Sequence, residues 1–442
     1  MDAFPRGVNR REGGSGRLAT RKIIIAGAGM GGLAAALVLA RRAEVTVLER
    51  AAHPGGKMRD IDIGGARIDI GPTVLTMKWV FDELFARAGA DFDVEVPALR
   101  LDCLARHGWR DGSRFDLLAD DGAAADAVGV FAGAEDRRGF VRFLADSRRI
   151  YDMLRDSFLR APAPDMLRMM ASAGPLKLLT IDPFSTYWSA LQRYFRDPRL
   201  VQLFGRYATY CGSSPFRAPA TLMLIAAVEK AGVWAPADGM AGLARAAARL
   251  AAKNGVTFRY REEAAQILSE NAQVSALRLA SGERIAADAV ILNADARAIA
   301  AGLFGGAASK VVRAPRARSQ SAVTFTLSAR ASGFPLDRHN VFFSRDYRAE
   351  FDAVFERREV PAEPTTYVWA PGAAAGPQPL FCLVNAPATG ARFPEGEAAR
   401  IRGRMLDHLS GCGLKLDVAS GTEMTPAGFA QDYPGTDGAL YG

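Results

Sequence analysis

An apolar run opens the patterned part of the chain and predicts a buried strand. Lys22 to Ala26 is rich in β-branched residues and is followed at once by glycine, which is typical of a parallel strand. The alanine-rich stretch Gly31 to Arg42 predicts a helix, and the apolar run Glu44 to Glu49 predicts the next strand. The three segments together indicate a compact β-α-β unit.

The later pattern changes between helical and strand-like regions. The pattern predicts mainly helices from Gly129 to Arg249, and Phe140 to Leu159 carries apolar residues at helical spacing. Val256 to Asp295 returns to strands separated by turns, and further strands are predicted at Ala322 to Leu327 and Leu380 to Val384. The fold class predicted from this order is α/β.

Length and composition narrow the class of protein. The 442 residues suggest two or three domains, and 49% hydrophobic with 24% charged residues is typical of a globular protein. No stretch approaches about 18 consecutive apolar residues, so a spanning helix is not expected.

The net charge of +8 comes without any block of five or more lysines and arginines. This charge pattern disfavours nucleic acid binding and suits an anionic cofactor or membrane surface. The four cysteines and four histidines follow no metal-site spacing, so no metal is expected.

A glycine motif joins the first strand to the first helix. It is the hexapeptide Gly27-Ala28-Gly29-Met30-Gly31-Gly32, which fits G-x-G-x-x-G in the strand–turn–helix context of a dinucleotide site. Gly27 permits the tight turn, Gly29 lets the backbone approach a pyrophosphate, and Gly32 lets helix and strand pack closely. The helix start then points free N–H groups at the phosphates.

An acidic residue ends the second predicted strand. Glu49 lies 22 residues after Gly27, where a carboxylate accepts hydrogen bonds from ribose hydroxyls and repels a 2′-phosphate. The position therefore disfavours NADP. Arg50 follows directly and is included in the candidate site.

Two further segments distinguish FAD from NAD. Gly55, Gly56 and Lys57 come just after the second strand, where paired glycines and a cation let the backbone pass close to the cofactor phosphates. An NAD domain usually enters another helix at this point. Beyond a glycine turn comes the segment Asp69-Ile70-Gly71-Pro72-Thr73.

These motifs together resemble those of the amine-oxidase-type flavoproteins, and most closely the carotenoid (phytoene-type) desaturases. The Asp69–Thr73 segment looks like that branch, as do Asp288–Asp295 with its Asn-Ala-Asp ending, Tyr433–Gly435 and Gly438–Gly442. The resemblance implies a Rossmann-like FAD-binding domain with an inserted substrate domain of mixed sheet and helical cap. The implied cofactor-binding residues are Gly27, Gly29, Met30, Gly31, Gly32, Glu49, Arg50, Gly55, Gly56, Lys57, Gly71, Pro72, Thr73, Ala264 and Asp295.

The resemblance also implies a substrate class. Leu203–Tyr210, Glu229–Trp234 and Gly239–Met240 look like the 1-hydroxycarotenoid 3,4-desaturases (hydroxyneurosporene desaturases) of purple bacteria. The implied reaction is hydride transfer from an allylic C–H of an acyclic, 1-hydroxylated carotenoid to the flavin. Asp238 departs from the family, which often has glycine there, and the family continues beyond the Gly438–Gly442 motif. A truncated C-terminal flavin segment is therefore expected.

The resemblance also implies an arrangement of domains. A disordered leader is expected at residues 1–21, which contain no apolar signal region. The FAD-binding domain is expected at 22–100 and 236–300, and the start of its incomplete last part at 426–442. The substrate domain is expected at 101–235 with its helical cap, and at 301–425 with its sheet.

The inserted helical region suits an apolar substrate, although its apolar residues also fit an ordinary core. The candidates for a tunnel are Phe158, Met166, Met169, Met170, Phe184, Tyr187, Trp188, Tyr194, Phe195, Phe204, Tyr207 and Tyr210. Pro162 to Leu179 mixes Met and Leu with basic residues, which suits either an interfacial helix or a cap helix.

No catalytic base can be assigned among the polar residues of the same region. Arg206, Asp156 and Asp182 are expected to form ion pairs on a solvated surface. Tyr210 or Ser213 is a candidate for meeting a substrate hydroxyl.

Three alternatives stay open from the sequence. They are a phytoene desaturase acting on earlier intermediates, a flavin amine oxidase, and an inactive truncated flavin- or isoprenoid-binding protein. The expected partners are a carotenoid, a membrane surface contacted peripherally, and oxygen or quinone as electron acceptor. The expected location is the cytoplasmic side of a bacterial inner membrane.

Overall fold

The computed structural model describes residues 21–155, 160, 185–314, 317–372 and 376–441. Its strands, numbered in chain order, are β1 (Lys22–Ala26), β2 (Glu44–Glu49), β3 (Asp60–Ile63), β4 (Ala66–Asp69), β5 (Ala98–Arg100), β6 (Cys103–Gly108), β7 (Arg114–Leu118), β8 (Trp234–Pro236), β9 (Thr257–Tyr260), β10 (Ala264–Glu270), β11 (Gln273–Leu279), β12 (Arg284–Ala286), β13 (Ala289–Leu292), β14 (Ser321–Ser332), β15 (His339–Phe342), β16 (Thr366–Trp369), β17 (Gln378–Ala386) and β18 (Lys415–Met424).

Helices connect and cover these strands. The α-helices are α1 (Met30–Leu39), α2 (Lys78–Ala88), α3 (Phe92–Glu95), α4 (Asp121–Ala132), α5 (Ala134–Leu154), α6 (Tyr187–Tyr194), α7 (Pro198–Gly205), α8 (Leu224–Ala231), α9 (Gly239–Lys253), α10 (Ala296–Ala300), α11 (Gly306–Ser309), α12 (Tyr347–Asp352), α13 (Glu397–Gly411) and α14 (Pro426–Asp432). Short 3₁₀ turns cover Arg206–Cys211, Ala220–Met223 and Gly390–Arg392, and a π turn covers Ala353–Arg357. Among the described residues, no helix combines the length and apolarity needed to cross a bilayer.

A four-stranded parallel sheet carries the predicted β-α-β unit. Its strand order is β13-β1-β2-β9, and Ile24 of β1 lies between Val290 and Thr46 of its two neighbours. Helices α1 and α9 pack against each other on this sheet, with Leu37 and Leu243 buried in the shared core. A parallel sheet with helices on its surface confirms the predicted α/β class.

A seven-stranded mixed sheet joins two distant parts of the chain. Its order is β18-β14-β17-β16-β15-β6-β7, and only β15 and β6 pair in parallel among its neighbours. Strands β14 and β17 extend beyond the runs predicted from the sequence. Their ends also find partners, since Ser332 pairs with Lys415 and Gln378 with Ala329. Hydrogen bonding across the sheet thus continues each strand past its apolar stretch.

The helical region packs mostly as an aromatic core. Phe143 lies 4.9 Å from Phe204 between ring centroids, and Phe195 lies 5.0 Å from the same ring. These rings and Tyr187 are fully buried or nearly so, so they serve packing rather than a tunnel. The other tunnel candidates Phe158, Met166, Met169, Met170 and Phe184, with Pro162 to Leu179, Asp156 and Asp182, lie outside the described residues.

A buried aspartate fixes the start of a long helix. Asp69 accepts hydrogen bonds from the backbone N–H groups of Met240 at 2.7 Å and Ala241 at 3.0 Å, in the first turn of α9. Burial raises the pKa of Asp69, and the two backbone N–H groups oppose that rise. Gly239 has a φ of +69°, and a Cβ there would collide with the Asp69 carboxylate. Asp69, the last residue of β4, therefore caps the start of α9.

We expect Asp69→Ala to lower the free energy of unfolding by about 1–3 kcal/mol, because two buried N–H donors lose their acceptor. Asp69→Asn keeps one acceptor oxygen and is expected to lose less. Urea denaturation followed by circular dichroism measures the change. Asp417→Ala, at an exposed position of β18, is the control and should leave stability nearly unchanged. Equal stability of Asp69→Ala and this control would contradict the capping role.

Candidate functional site

The glycine loop turns sharply where β1 meets the last strand of the parallel sheet. Gly27 has a φ of +104°, and a Cβ there would lie 2.7 Å from the backbone oxygen of Asn293. Gly32, in the first turn of α1, would collide through a Cβ with the backbone oxygen of Gly27. Side chains at these two positions would therefore push the helix away from the sheet.

The start of α1 is left open to a ligand. Gly29 is the N-cap residue, and no side chain of its own caps the helix. Asn293, with its amide oxygen turned to the loop, accepts from the N–H groups of Gly29 at 3.3 Å and Gly32 at 3.2 Å. Its place after β13 holds the loop in position, a role that the sequence motif did not reveal. The remaining N–H groups of a helix start form an anion site.

Glu49 ends β2 beside the loop, as predicted. One carboxylate oxygen accepts from the N–H of Ala28 at 2.7 Å, and the other accepts from the N–H of Ala51 at 2.8 Å. Each oxygen keeps a further lone pair for a ribose hydroxyl. Arg50 next to it donates to the backbone oxygen of Asp432. The acid is thus held in one orientation by the backbone.

The segment Gly55–Lys57 lies directly against the glycine loop. Gly55 donates to the backbone oxygen of Ala28 at 2.9 Å and forms an isolated bridge with Gly29. The Lys57 ammonium donates to the backbone oxygen of Leu440 and lies 5.4 Å from the centre of the Tyr433 ring. Burial lowers the pKa of Lys57, and Asp295 opposes that shift. A cation is therefore held where the two loops meet.

These elements enclose a first cavity of about 690 Å³ at the carboxyl end of the parallel sheet. The predicted residues on its wall are Gly27, Gly29, Met30, Glu49, Arg50, Gly55, Gly56, Lys57, Ala264 and Asp295. Gly31 and Gly32 lie in the first turn of α1. Asp295 also caps α10 by accepting from the N–H of Arg297 at 2.7 Å.

A second cavity of about 490 Å³ adjoins the first, and Lys57 and Tyr433 line both. The predicted Gly71, Pro72 and Thr73 lie on its wall. Most of its lining is apolar, and it comes from the segment after β4, the mixed sheet, α8 and the C-terminal part of the described chain: Ile70, Val74, Ile225, Val228, Val341, Phe381, Leu383, Phe429 and Leu440. The predicted cofactor residues thus divide between a polar cleft and an apolar chamber.

The predicted surface position of Arg206 is wrong. It was expected on a solvated surface, but it is 8% exposed and lines the second cavity. The turn Arg206–Cys211 follows α7 directly and carries the side chain inward. Tyr210 lines the cavity as proposed for a polar contact, whereas Ser213 is not among the lining residues. Sequence spacing gave no sign that the basic residue is buried.

A hydrogen-bonded chain crosses the wall of the second cavity. The hydroxyl groups of Thr73 and Tyr367 lie 2.6 Å apart, and the Tyr367 hydroxyl lies 2.7 Å from Nδ1 of His339. Burial, followed by the charges of Arg338 and Arg206, lowers the pKa of His339 to about 3. The imidazole is therefore neutral near pH 7 and fixes the Tyr367 hydroxyl. Neither Tyr367 nor His339 is predicted from the sequence, because both lie far from Thr73 along the chain.

Comparisons with known proteins agree with this geometry. Residues 30–410 match the family of flavin-containing amine oxidoreductases. The chain belongs to this family. It is 45% identical to a hydroxyneurosporene desaturase of Rubrivivax gelatinosus, over 96% of this chain and 84% of that protein. It is 41% identical to a hydroxyneurosporene desaturase of Cereibacter sphaeroides, over 95% and 87%.

Solved structures show the same fold at low sequence identity. An oxidoreductase from Methanosarcina mazei aligns with a TM-score of 0.59 and 15% identity, over 95% of this chain and 90% of that chain. A putrescine oxidase variant aligns with a TM-score of 0.58 and 13% identity, over 95% and 86%. These similarities concern the fold alone.

The residues of the first cavity fit FAD, the cofactor of this enzyme. The N–H groups at the start of α1 that Asn293 does not engage suit the pyrophosphate together with Lys57, and the Glu49 carboxylate suits a ribose. A side chain at Gly27 would fill the turn. Lys57 and Tyr433 line both cavities, so a cofactor held in the first cavity would reach toward the second.

We expect Gly56→Ala to weaken FAD binding by about tenfold. Gly56 has a φ of +59°, and its added Cβ would lie 3.2 Å from the Cα of Gly29, between the two loops. Gly65→Ala is the matched control, because Gly65 has a φ of +80° with nothing within 4 Å of the added Cβ. Flavin fluorescence titration gives both dissociation constants. Equal weakening in the two variants would mean that backbone strain alone acts, and that the contact between the loops is unimportant.

Proposed function

We propose that the protein is an FAD-dependent carotenoid desaturase that acts on an acyclic, 1-hydroxylated carotenoid. The observation that carries this proposal is 45% identity over 96% of the chain to a protein named hydroxyneurosporene desaturase. A protein named 1-hydroxycarotenoid 3,4-desaturase, from Flavobacterium, is 30% identical over 96% of this chain. Two cavities that share Lys57 and Tyr433 support the proposal, one as a cleft for the cofactor and one as a chamber for the substrate.

The reaction removes a hydride and a proton from neighbouring carbons and leaves a new double bond. When bound, FAD supplies the acceptor for the hydride. The polyene spreads the positive charge that develops on the substrate, and the proton on the neighbouring carbon becomes acidic enough to leave to a weak base such as water. The protein therefore needs no strong acid or base. The main tasks left to the protein are to orient the allylic carbon and to keep water away.

The second cavity supports those tasks through its lining. Val341, Phe381 and Leu383 of the mixed sheet line it together with Ile225 and Val228 of α8. Apolar walls bind a hydrocarbon by removing its surface from water, worth roughly 25 cal/mol per Å². The segment Gly71–Thr73 belongs to both the candidate cofactor residues and this wall. An allylic carbon held here would lie near Lys57 and Tyr433, which also line the candidate cofactor cleft.

The same proposal includes peripheral contact with a membrane, where a carotenoid resides. A surface groove lined by Met77, Trp79 and Trp234 shares Val228 with the second cavity. Val94 is 75% exposed and Leu99 is 66% exposed, each next in sequence to a groove residue. We place the enzyme at the cytoplasmic face of a bacterial inner membrane. Membrane quinone or oxygen then reoxidises the flavin.

We expect the FAD-loaded protein to turn over a 1-hydroxylated acyclic carotenoid supplied anaerobically in liposomes. The flavin absorption should bleach while the carotenoid bands shift to longer wavelength, because a lengthened polyene absorbs at lower energy. Stopped-flow absorbance measures both changes together.

The remaining outcomes separate the alternatives. Flavin that stays oxidised with this substrate but bleaches with phytoene would identify a phytoene desaturase. Bleaching only with a diamine would identify an amine oxidase. Flavin that binds and is bleached by none of the three would contradict the desaturase and favour a binding role.

A second expectation concerns the membrane. The double variant Val94→Asp/Leu99→Asp should float with liposomes at least several-fold less than wild type, because it places charge on the exposed apolar face. Val130→Asp is the control, since Val130 is 92% exposed on α4 and does not line the groove. Liposome flotation followed by immunoblotting gives the bound fraction. If both variants float like wild type, this surface is not the attachment site.

A further inference from the structure

One wall of the second cavity carries a buried polar cluster, although the cavity is otherwise mostly apolar. The cluster, called here the arginine cluster, consists of Arg206, Tyr207, Tyr210 and Glu229. Arg206 comes from the turn after α7, and Glu229 comes from α8. Arg206, Tyr210 and Glu229 all line the cavity. The cluster therefore places opposite charges at the edge of a hydrocarbon chamber.

The Glu229 carboxylate accepts a hydrogen bond at each of its two oxygens. Tyr207 donates its hydroxyl to Oε2 of Glu229 at 2.5 Å, and Tyr210 donates to Oε1 at 2.7 Å. Nη2 of Arg206 lies 3.8 Å from Oε1 of Glu229, too far for a hydrogen bond. The cluster is neutral overall, because the guanidinium and the carboxylate cancel.

The guanidinium, in contrast, is only partly satisfied. Nη1 of Arg206 donates to the Tyr210 hydroxyl at 2.6 Å. Its Nε and Nη2 are buried without a hydrogen-bond partner among the described residues. Burial lowers the pKa of Arg206, but Tyr210, Glu229 and Tyr207 outweigh it and raise the pKa, so the group stays charged. Buried donors without acceptors are costly and call for an explanation, and a bound polar group reached by a small side-chain movement would supply one.

The chemistry of the cluster indicates what ligand it suits. An anion would accept a hydrogen bond from Arg206 but would be repelled by the Glu229 carboxylate. A cation would be repelled by the Arg206 guanidinium. A neutral hydroxyl accepts from the guanidinium and donates to a free lone pair of Glu229 or Tyr210, so it suits both halves.

We propose that the arginine cluster binds the terminal hydroxyl of the substrate and sets the preference for hydroxylated over unsubstituted carotenoids. The inference rests on the proposed function and names Arg206, Tyr210 and Glu229 as specificity-determining residues. A site built to hydrogen-bond a hydroxyl rejects a ligand that lacks it, because the polar groups of the site are then left unpaired. A hydroxyl bound there would also fix how far the carotenoid enters the cavity, and so which of its carbons reaches the cofactor side of the cavity.

The test compares binding of three ligands to the FAD-loaded protein. They are a 1-hydroxylated acyclic carotenoid, its 1-methoxy derivative and the unsubstituted analogue, and quenching of tryptophan fluorescence gives each dissociation constant. Wild type should prefer the hydroxylated ligand over the unsubstituted one by about 10- to 100-fold. The methoxy ligand should bind with intermediate affinity, because an ether accepts a hydrogen bond but cannot donate one. Equal affinity for methoxy and hydroxyl ligands would overturn the two-way contact.

The double variant Arg206→Met/Glu229→Gln removes both charges together and so leaves no single buried charge. It should bind the hydroxylated and unsubstituted ligands alike, with a full flavin content. Retention of the wild-type preference by this flavin-loaded variant would overturn the proposal.

A milder variant decides the matter if the double variant fails to fold. Tyr210→Phe keeps the ring and removes one partner of Arg206, and it should reduce the preference about tenfold. Tyr194→Phe is the matched control, because its hydroxyl donates to Asp146 at 2.7 Å and does not line the cavity. Equal preference in the two tyrosine variants would overturn the proposal.

The binding preference is independent of turnover. If wild type bleaches its flavin with none of the carotenoids, the proposed function fails, and the three dissociation constants still decide the role of the cluster. If turnover occurs, KM for the hydroxylated substrate should rise in Tyr210→Phe more than kcat falls, since the cluster positions the substrate and does not react.

Discussion

Backbone packs directly on backbone at the carboxyl end of the parallel sheet, and the cofactor cleft depends on that contact. The glycine loop after β1 lies against the segment Gly55–Lys57 on one side and against Asn293 on the other. A Cβ at Gly32 would collide with the turn, and one at Gly56 would press on Gly29. Close approach leaves the N–H groups at the start of α1 facing the cavity, where they serve an anion. Glycine is needed here for space as well as for φ.

The segment Asp69–Thr73 connects this cleft with the substrate chamber. Its aspartate caps α9, the helix that packs on α1, while Gly71, Pro72 and Thr73 line the second cavity. One short segment thus fixes the helix that packs on α1 and forms part of the wall of the second cavity. The hydroxyl of Thr73 is in turn held by Tyr367 and the neutral His339. Buried hydrogen bonds on this segment and the ion pair between Arg59 of the second cavity and Asp432 of the first therefore hold the two cavities together.

The second cavity combines two kinds of wall that oppose each other energetically. Apolar side chains from the mixed sheet and α8 favour a hydrocarbon, whereas the charges of Arg206 and Glu229 resist removal from water. The tyrosines at 207 and 210 offset part of that cost by donating to the carboxylate. Most of the remaining aromatic side chains of the helical region pack away from the cavity as core. If the arginine cluster binds the substrate hydroxyl as proposed, it would give a long hydrocarbon substrate a defined register.

The sequence by itself determined the parts of the protein whose partners lie close along the chain. The β-α-β unit, the glycine loop and Glu49 occupy fewer than 30 residues, so spacing alone predicted how they meet. Tertiary structure decided the contacts between distant residues: Asp69 with Met240, 171 residues away, and Thr73 with Tyr367, 294 residues away. It also decided that Arg206 is buried, because burial depends on α8 and the mixed sheet closing over the turn that carries it. Local pattern records which residues are polar, but only the packing of distant segments determines whether a polar residue meets water, a helix end or a substrate.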